Sequence, residues 1–105
     1  MGRINSYSNS ETVAYSRISV GTTAVPVGTI PSGVYSCTVR VIANASSTGV
    51  PAINATIIGT PTTTNGMPLW NGDVMDIYPG ELESAKFISA DGLTHTLCIE
   101  FTRLS

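Results

Sequence analysis

Charge is scarce in this chain. Of its 105 residues, 11% are charged, with five basic and seven acidic side chains and a formal net charge of −2. A globular domain usually has about 25% charged residues. Five scattered basic side chains neutralise few phosphates, which argues against a nucleic-acid partner. Neutral polar groups must therefore cover the exterior, and the chain has twelve Ser and fourteen Thr.

Residues that carry chemistry are also few. His95 is the only histidine and there is no cluster of cysteines, so a zinc site has no second ligand of these types and a Ser-His-Asp relay has no second candidate base. We expect His95 to pack as a structural residue beside Phe87. The acidic residues at 73, 76, 81 and 83 lack the alternating ligands of a calcium loop and are expected to be solvated turn carboxylates. The sequence predicts a non-enzymatic protein without catalytic residues, metal ligands or cofactors.

Only two cysteines are present, and their strand parity separates them. Cys37 alternates with Val39 and Val41 on an apolar face, whereas Cys98 falls on the face opposite Leu97 and Ile99. Two side chains on opposite kinds of face do not meet across one core, so we expect two reduced thiols and no disulfide.

Long apolar runs are missing as well. No stretch approaches the roughly 20 residues needed to cross a bilayer. The first residues contain no apolar signal core. We therefore expect no membrane partner.

Short alternating segments separated by turn signals make up most of the chain. We predict strands over residues 13–20, 22–27, 34–42, 53–60, 67–70, 74–78, 85–89 and 93–103. Seven to nine such strands are typical of a sandwich, jelly roll or barrel, and we expect an antiparallel β-sandwich or jelly roll. Residues 13–105 form this single domain in our interpretation. Residues 1–12 form a polar arm whose only apolar anchors are Ile4 and Tyr7.

The C-terminal segments predict a local sheet in which each strand pairs with the next. A three-residue loop over residues 90–92 would pair Phe87 with His95 and Ala85 with Leu97. This register keeps one face of the hairpin apolar, whereas a two-residue turn mixes the faces.

One segment is a candidate for protein contacts. Met67, Pro68, Leu69 and Trp70 lie together at the end of a predicted strand, between two Asn-Gly pairs. Trp70 either fills the rim of the core or anchors a neighbouring subunit, as interface hot spots do. Ile4 and Tyr7 are further candidates, because the arm that carries them would clamp a neighbour.

Several turn motifs resemble those of a known family. They are LWNGD at 69–73, YPGE at 78–81, FISADG at 87–92 and the alternating LCIEF at 97–101, preceded by GTTAVPV at 21–27. Together they resemble the small β-sandwich or jelly-roll proteins that decorate and cement the capsids of tailed phages. The likeness covers about residues 18 to 103. It implies a homo-oligomer, a dimer or trimer, bound to the major capsid protein.

The functional hypothesis follows from this resemblance. We expect a structural virion protein, a head cement or decoration protein that bridges capsid subunits on the capsid surface and is present in the host cytoplasm during assembly. The alternative is a carbohydrate- or receptor-binding module of a phage tail or adhesin. That module would need exposed aromatic side chains along a groove, and Trp70 with Tyr78 is the only candidate pair.

Overall fold

A computed structural model describes residues 10–104, and its regular elements are all strands. The seven strands are β1 (Ser10–Val20), β2 (Ser36–Ile42), β3 (Ile53–Thr56), β4 (Met67–Leu69), β5 (Val74–Ile77), β6 (Lys86–Ser89) and β7 (His95–Leu104). The described residues contain no helix long and apolar enough to cross a membrane. The predicted all-β class and number of strands are confirmed.

The strands form two antiparallel sheets. Sheet A has the order β1-β7-β2-β5, and sheet B has the order β4-β3-β6. The predicted strand at 22–27 is reduced to one bridge, in which Val25 and Phe87 exchange two backbone hydrogen bonds of 2.8 Å each. Since Pro26 has no amide hydrogen, this segment remains a short edge of sheet B next to β6.

The pairing of the strands is nested. β1 pairs with β7, the Val25 segment with β6, β2 with β5, and β3 with β4. The chain is thus folded like one long hairpin whose paired segments alternate between the two sheets. This nested arrangement is typical of a jelly roll, one of the architectures that the strand and turn spacing favoured.

The core lies between the two sheets. Sheet A contributes the buried side chains of Val39, Ile99 and Phe101, and sheet B contributes Ile53 and Phe87. All five are at most 1% exposed. Because inward and outward side chains alternate along a strand, these apolar residues hold the sheets face to face.

The predicted C-terminal hairpin is wrong. Phe87 pairs with Ala55 of β3, and His95 pairs with Val20 of β1, so β6 and β7 belong to different sheets. In sheet B, β6 pairs with β3 on one side and with Val25 through a single bridge on the other, and Phe87, Ile88 and Ser89 are all buried. Residues 90–94 cross from one sheet to the other.

The N-terminal boundary also differs from the expected one. β1 begins at Ser10, before the predicted start at Val13, and Glu11 pairs with Arg103 across to β7. Their side chains form an ion pair of 2.7 Å. Residues 10–12 are therefore part of the sheet. Ile4 and Tyr7, the anchors of the predicted arm, lie outside the described residues.

The outer faces of the two sheets are covered differently. Asn54 points outward from β3 but is only 6% exposed. Its Nδ2 donates to the carbonyls of Thr62 and Thr63, at 3.0 and 3.1 Å, in the 57–66 loop that folds back over sheet B. On the outer face of sheet A, Tyr15 and Val74 are instead exposed by 77% and 49%.

Candidate functional site

The predicted contact segment, residues 67–70, has both buried and exposed side chains. Leu69 is 6% exposed and belongs to the core, so it is not available to a partner of the folded protein. Met67 is 60% exposed, and Pro68 is also exposed, on the edge strand of sheet B. Among the four candidates, Met67, Pro68 and Trp70 thus remain at the surface.

Trp70 lies on a loop rather than in the core. Its indole is 43% exposed, and its Nε1 donates to the carbonyl of Gly49 at 3.3 Å. The ring lines a recess of about 230 Å³ formed by the 43–50 loop and the turn after β4. We call this surface the Trp70 patch; it consists of Trp70, Asn71, Ala43, Asn44, Ala45, Ser47, Gly49 and Val50. None of these residues is charged.

Trp70 and Tyr78 do not form the aromatic pair that a sugar-binding groove would need. Trp70 precedes β5 and Tyr78 follows it, so the two side chains stand at opposite ends of that strand. Tyr78 does not line the recess beside Trp70, and its side chain is 62% exposed.

His95 is buried, as expected of a structural residue, but it sits in a polar network. Its side chain is fully buried. Nδ1 accepts a hydrogen bond of 2.9 Å from the backbone N–H of Asn44. Nδ1 therefore carries no proton, and Nε2–H donates to Oδ1 of Asp91 at 2.7 Å.

Asp91 collects four donors. Besides His95, the amide of Leu93 and the hydroxyl of Ser89 donate to Oδ1 at 3.0 and 3.1 Å, and the hydroxyl of Ser47 donates to Oδ2 at 2.8 Å. Burial by itself would raise the pKa of this carboxyl group. The hydrogen bonds from His95, Leu93 and Ser47 outweigh it and lower the pKa of Asp91 to about 2. The carboxylate is therefore ionised at neutral pH.

This network joins loops and does not activate a nucleophile. Both serine hydroxyls donate to the carboxylate, and the Nδ1 lone pair of His95 is occupied by a backbone amide. A serine protease-like relay needs the histidine to accept from the serine, which is not the arrangement here. The network instead ties the 43–50 loop to residues 89–95.

The acidic side chains of the turns are used locally. Asp73 Oδ2 accepts from the amide of Trp70 at 2.7 Å, and Glu81 Oε1 accepts from the amide of Tyr78 at 3.1 Å. Asp76, expected in a turn, lies instead on β5, and its Oδ1 accepts from the hydroxyl of Thr38 at 2.8 Å. Within the described part of the chain, no three His, Cys, Asp or Glu side chains come together as metal ligands.

The two cysteines are placed as their parity predicted. Both are free; Cys37 is buried and Cys98 is half-buried on the outer face of sheet A. Burial, with a smaller contribution from the charge of Asp76, raises the pKa of Cys37 to about 11. Cys37 is thus an inert core thiol at neutral pH.

The outer face of sheet A is a second surface, which the sequence reasoning missed. Strand register places Arg17, Cys98, Arg40 and Val74 side by side across the four strands. The next outward row along the strands consists of Tyr15, Glu100, Thr38 and Asp76. All of these residues except Asp76 line a shallow groove of about 550 Å³. We call the two rows the basic row and the acidic row.

Comparison with known proteins does not identify a function for either surface. The chain matches no family model, no curated protein and no solved structure.

Proposed function

We propose that this protein is a structural component of a virus particle, a head cement or decoration protein of a tailed phage that binds the major capsid protein. The observation that carries the proposal is the Trp70 patch: an exposed tryptophan, held by a hydrogen bond to Gly49, in a recess without charged residues.

The chemistry of the patch suits a lasting protein contact. Interface centres are depleted in charged groups and enriched in aromatic ones, and tryptophan is among the residues that contribute most to binding. Val50, 49% exposed, adds apolar area beside Trp70. A neighbour that covers these two side chains removes apolar surface from water without desolvating any charge.

The fold and the surface composition agree with a cementing role. A jelly roll presents loops at its ends, and the Trp70 patch is made by such loops. With 11% charged residues, the exterior depends on neutral polar groups that form many weak contacts. On a symmetric shell each such contact is repeated, and several linked contacts give avidity that one contact lacks.

The proposal is tested by binding to capsids assembled without this protein. The purified chain should co-sediment with them, and Trp70→Ala should reduce the bound fraction by at least about 10-fold, since hot-spot truncations cost 2 kcal/mol or more. Tyr78→Ala is the matched control, because Tyr78 is an exposed aromatic at the other end of β5. Unchanged folding of both variants is checked by circular dichroism. A chain that stays in the supernatant, or equal binding by Trp70→Ala and the wild type, contradicts the proposal.

The carbohydrate- or receptor-binding alternative has less support. It called for Trp70 and Tyr78 along one groove, and the two side chains are separated by the length of β5. Binding to a glycan array that is lost in Trp70→Ala and kept in Tyr78→Ala would favour this alternative over the cement role.

A further inference from the structure

The outer face of sheet A carries both signs of charge in separate rows. Arg17 and Arg40 lie in the basic row, and Glu100 and Asp76 lie in the acidic row, two residues away along the strands. That step is about 6.7 Å, and neighbouring strands are about 4.8 Å apart. In a chain with few charges, four charged side chains are thus concentrated on one face.

The two arginines are not neutralised within this face. In the described part of the chain, Arg17 has neither a hydrogen bond nor an ion pair, and Arg40 has only a 3.4 Å contact to the carbonyl of Gly72. The acidic side chains are held by hydroxyl groups instead. Thr12 donates to Glu100 at 2.5 Å and Thr38 donates to Asp76 at 2.8 Å. By contrast, Arg103 on the same strand as Glu100 is paired with Glu11.

We propose that this face binds the same face of a second copy of the chain. A two-fold axis that lies between the rows and parallel to them places the basic row of each copy on the acidic row of the other. Such a self-complementary contact is the isologous interface of a two-fold dimer. The inference names the partner for the self-association that the proposed function includes.

The strand register specifies which groups would meet. Arg40 of one copy faces Thr38 of the second copy and lies between its Glu100 and Asp76, one strand to either side. Arg17 faces the ring of Tyr15 of the second copy, which is 77% exposed. A guanidinium group stacks favourably on an aromatic ring. The groove of about 550 Å³ on each copy receives the long side chains of the other copy.

The size of the face is adequate for a specific contact. Four strands about 4.8 Å apart and on average about eight residues long give a projected area of roughly 500 Å². Side-chain relief brings the accessible area toward the roughly 600 to 800 Å² per partner that specific interfaces bury. Two sheets packed in this way keep their strands nearly aligned, which the two-fold axis along the rows allows.

Charge reversal tests the arrangement with the full chain, measured by sedimentation velocity over a range of concentrations. The acidic variant carries Arg17→Glu and Arg40→Glu, and the basic variant carries Glu100→Arg and Asp76→Arg. Each alone should dimerise at least about 10-fold more weakly than the wild type, because like charges then face each other. An equimolar mixture of the two variants should restore dimers, since opposite charges meet again across the interface. Lys86→Glu, on β6 of sheet B, is the control and should leave the dimer unchanged.

Each outcome decides between the proposals. A monomeric wild type, a dimer that neither variant weakens, or a mixture that stays monomeric overturns the proposed dimer face. These measurements use the chain alone, without capsids. The comparison of capsid binding by Trp70→Ala and by the wild type therefore tests the proposed function independently. Retained dimers with no capsid binding would overturn the proposed function alone.

Discussion

Replacing Asp91 by Asn removes one charge from the polar network and leaves its shape. The carboxylate accepts hydrogen bonds from His95, Leu93, Ser89 and Ser47. In Asp91→Asn the amide oxygen takes the place of Oδ1, and the amide nitrogen meets the hydroxyl of Ser47, which can rotate to accept. All partners thus remain, but the bonds are no longer to an ion.

The cost follows from the difference between charged and neutral hydrogen bonds. A bond to a charged group contributes about 1.5 to 3 kcal/mol, and a neutral bond about 0.5 to 1.5 kcal/mol. Three donors at Oδ1 weaken together, and such losses are not additive in one network. We expect Asp91→Asn to reduce the free energy of unfolding by about 2 kcal/mol. For a domain of this size that lowers the Tm by about 10 °C.

Low pH should remove the difference in the free energy of unfolding between the wild type and Asp91→Asn. The pKa of Asp91 is lowered to about 2, whereas an unfolded aspartate titrates near 3.9. A carboxylate with a lowered folded pKa stabilises the fold above the unfolded pKa, and the stabilisation is lost as the pH falls toward the folded pKa. The difference in the free energy of unfolding between the wild type and Asp91→Asn should therefore be constant above about pH 5 and decrease from there toward pH 2.

Urea unfolding at a series of pH values measures this difference. Glu83→Gln is the matched control, because Glu83 is an exposed turn carboxylate, and we expect it to change the free energy of unfolding by less than about 0.5 kcal/mol at any pH. Two results would contradict this account of the network. One is an Asp91→Asn variant that is as stable as the wild type at neutral pH. The other is a difference in the free energy of unfolding that stays constant down to the lowest pH at which both proteins fold.

Two other predictions follow from the packing. Gly66→Ala should destabilise the protein by about 2 to 3 kcal/mol in urea unfolding, because its Cβ would lie 3.0 Å from the carbonyl of Ala55 at a φ of +135°. Gly59→Ala, at a φ of +81° with nothing within 4 Å, should cost about 1 kcal/mol; equal costs would refute the steric argument. In the native monomer at pH 8, at concentrations below those at which the chain dimerises, a thiol reagent should modify Cys98 and leave Cys37 unmodified until unfolding, since burial raises the pKa of Cys37 to about 11. Rapid reaction of two thiols would contradict the described core.

Local sequence patterns were sufficient to predict where most strands lie and which of their side chains face the core. Alternation around Cys37 and Cys98 correctly placed one thiol inside and one outside, because parity along a strand depends only on neighbouring residues. Pro26 correctly marked an edge, since a residue without an amide hydrogen cannot sit inside a sheet. The strand ends were less accurate, as the start of β1 at Ser10 illustrates.

Pairing between strands was beyond local reasoning. The predicted hairpin joined Phe87 to His95 because a three-residue loop at 90–92 gave the register that keeps one face of the hairpin apolar. In this fold, however, β5, β6 and β7 lie alternately in sheets A, B and A, and the same turn residues form a connection that crosses between the sheets. Two adjacent apolar residues, Phe87 and Ile88, were the available signal that β6 is buried on both faces.

The candidate surfaces depend on the same long-range pairings. The basic row brings Arg17, Cys98 and Arg40 together from three strands that are distant in sequence. The network joins Ser47 to Asp91, 44 residues apart, and Asn44 to His95, 51 residues apart. The sequence suggested an isolated histidine and a turn aspartate, and no local pattern relates either residue to the 43–50 loop.

The network and the Trp70 patch meet in that loop. Asn44 is held by His95 through its amide, and its Nδ2 donates to the carbonyl of Thr94 at 3.2 Å, while Ser47 is held by Asp91. Two residues further along, Gly49 accepts from the indole of Trp70. The loop beneath the tryptophan is thus tied down from inside the sandwich, and little freedom remains to be lost when a partner covers it. A buried polar network that orders an exposed aromatic side chain in this way lowers the entropic cost of binding, which accounts for a hydrogen-bonded histidine in a protein for which we propose no chemistry.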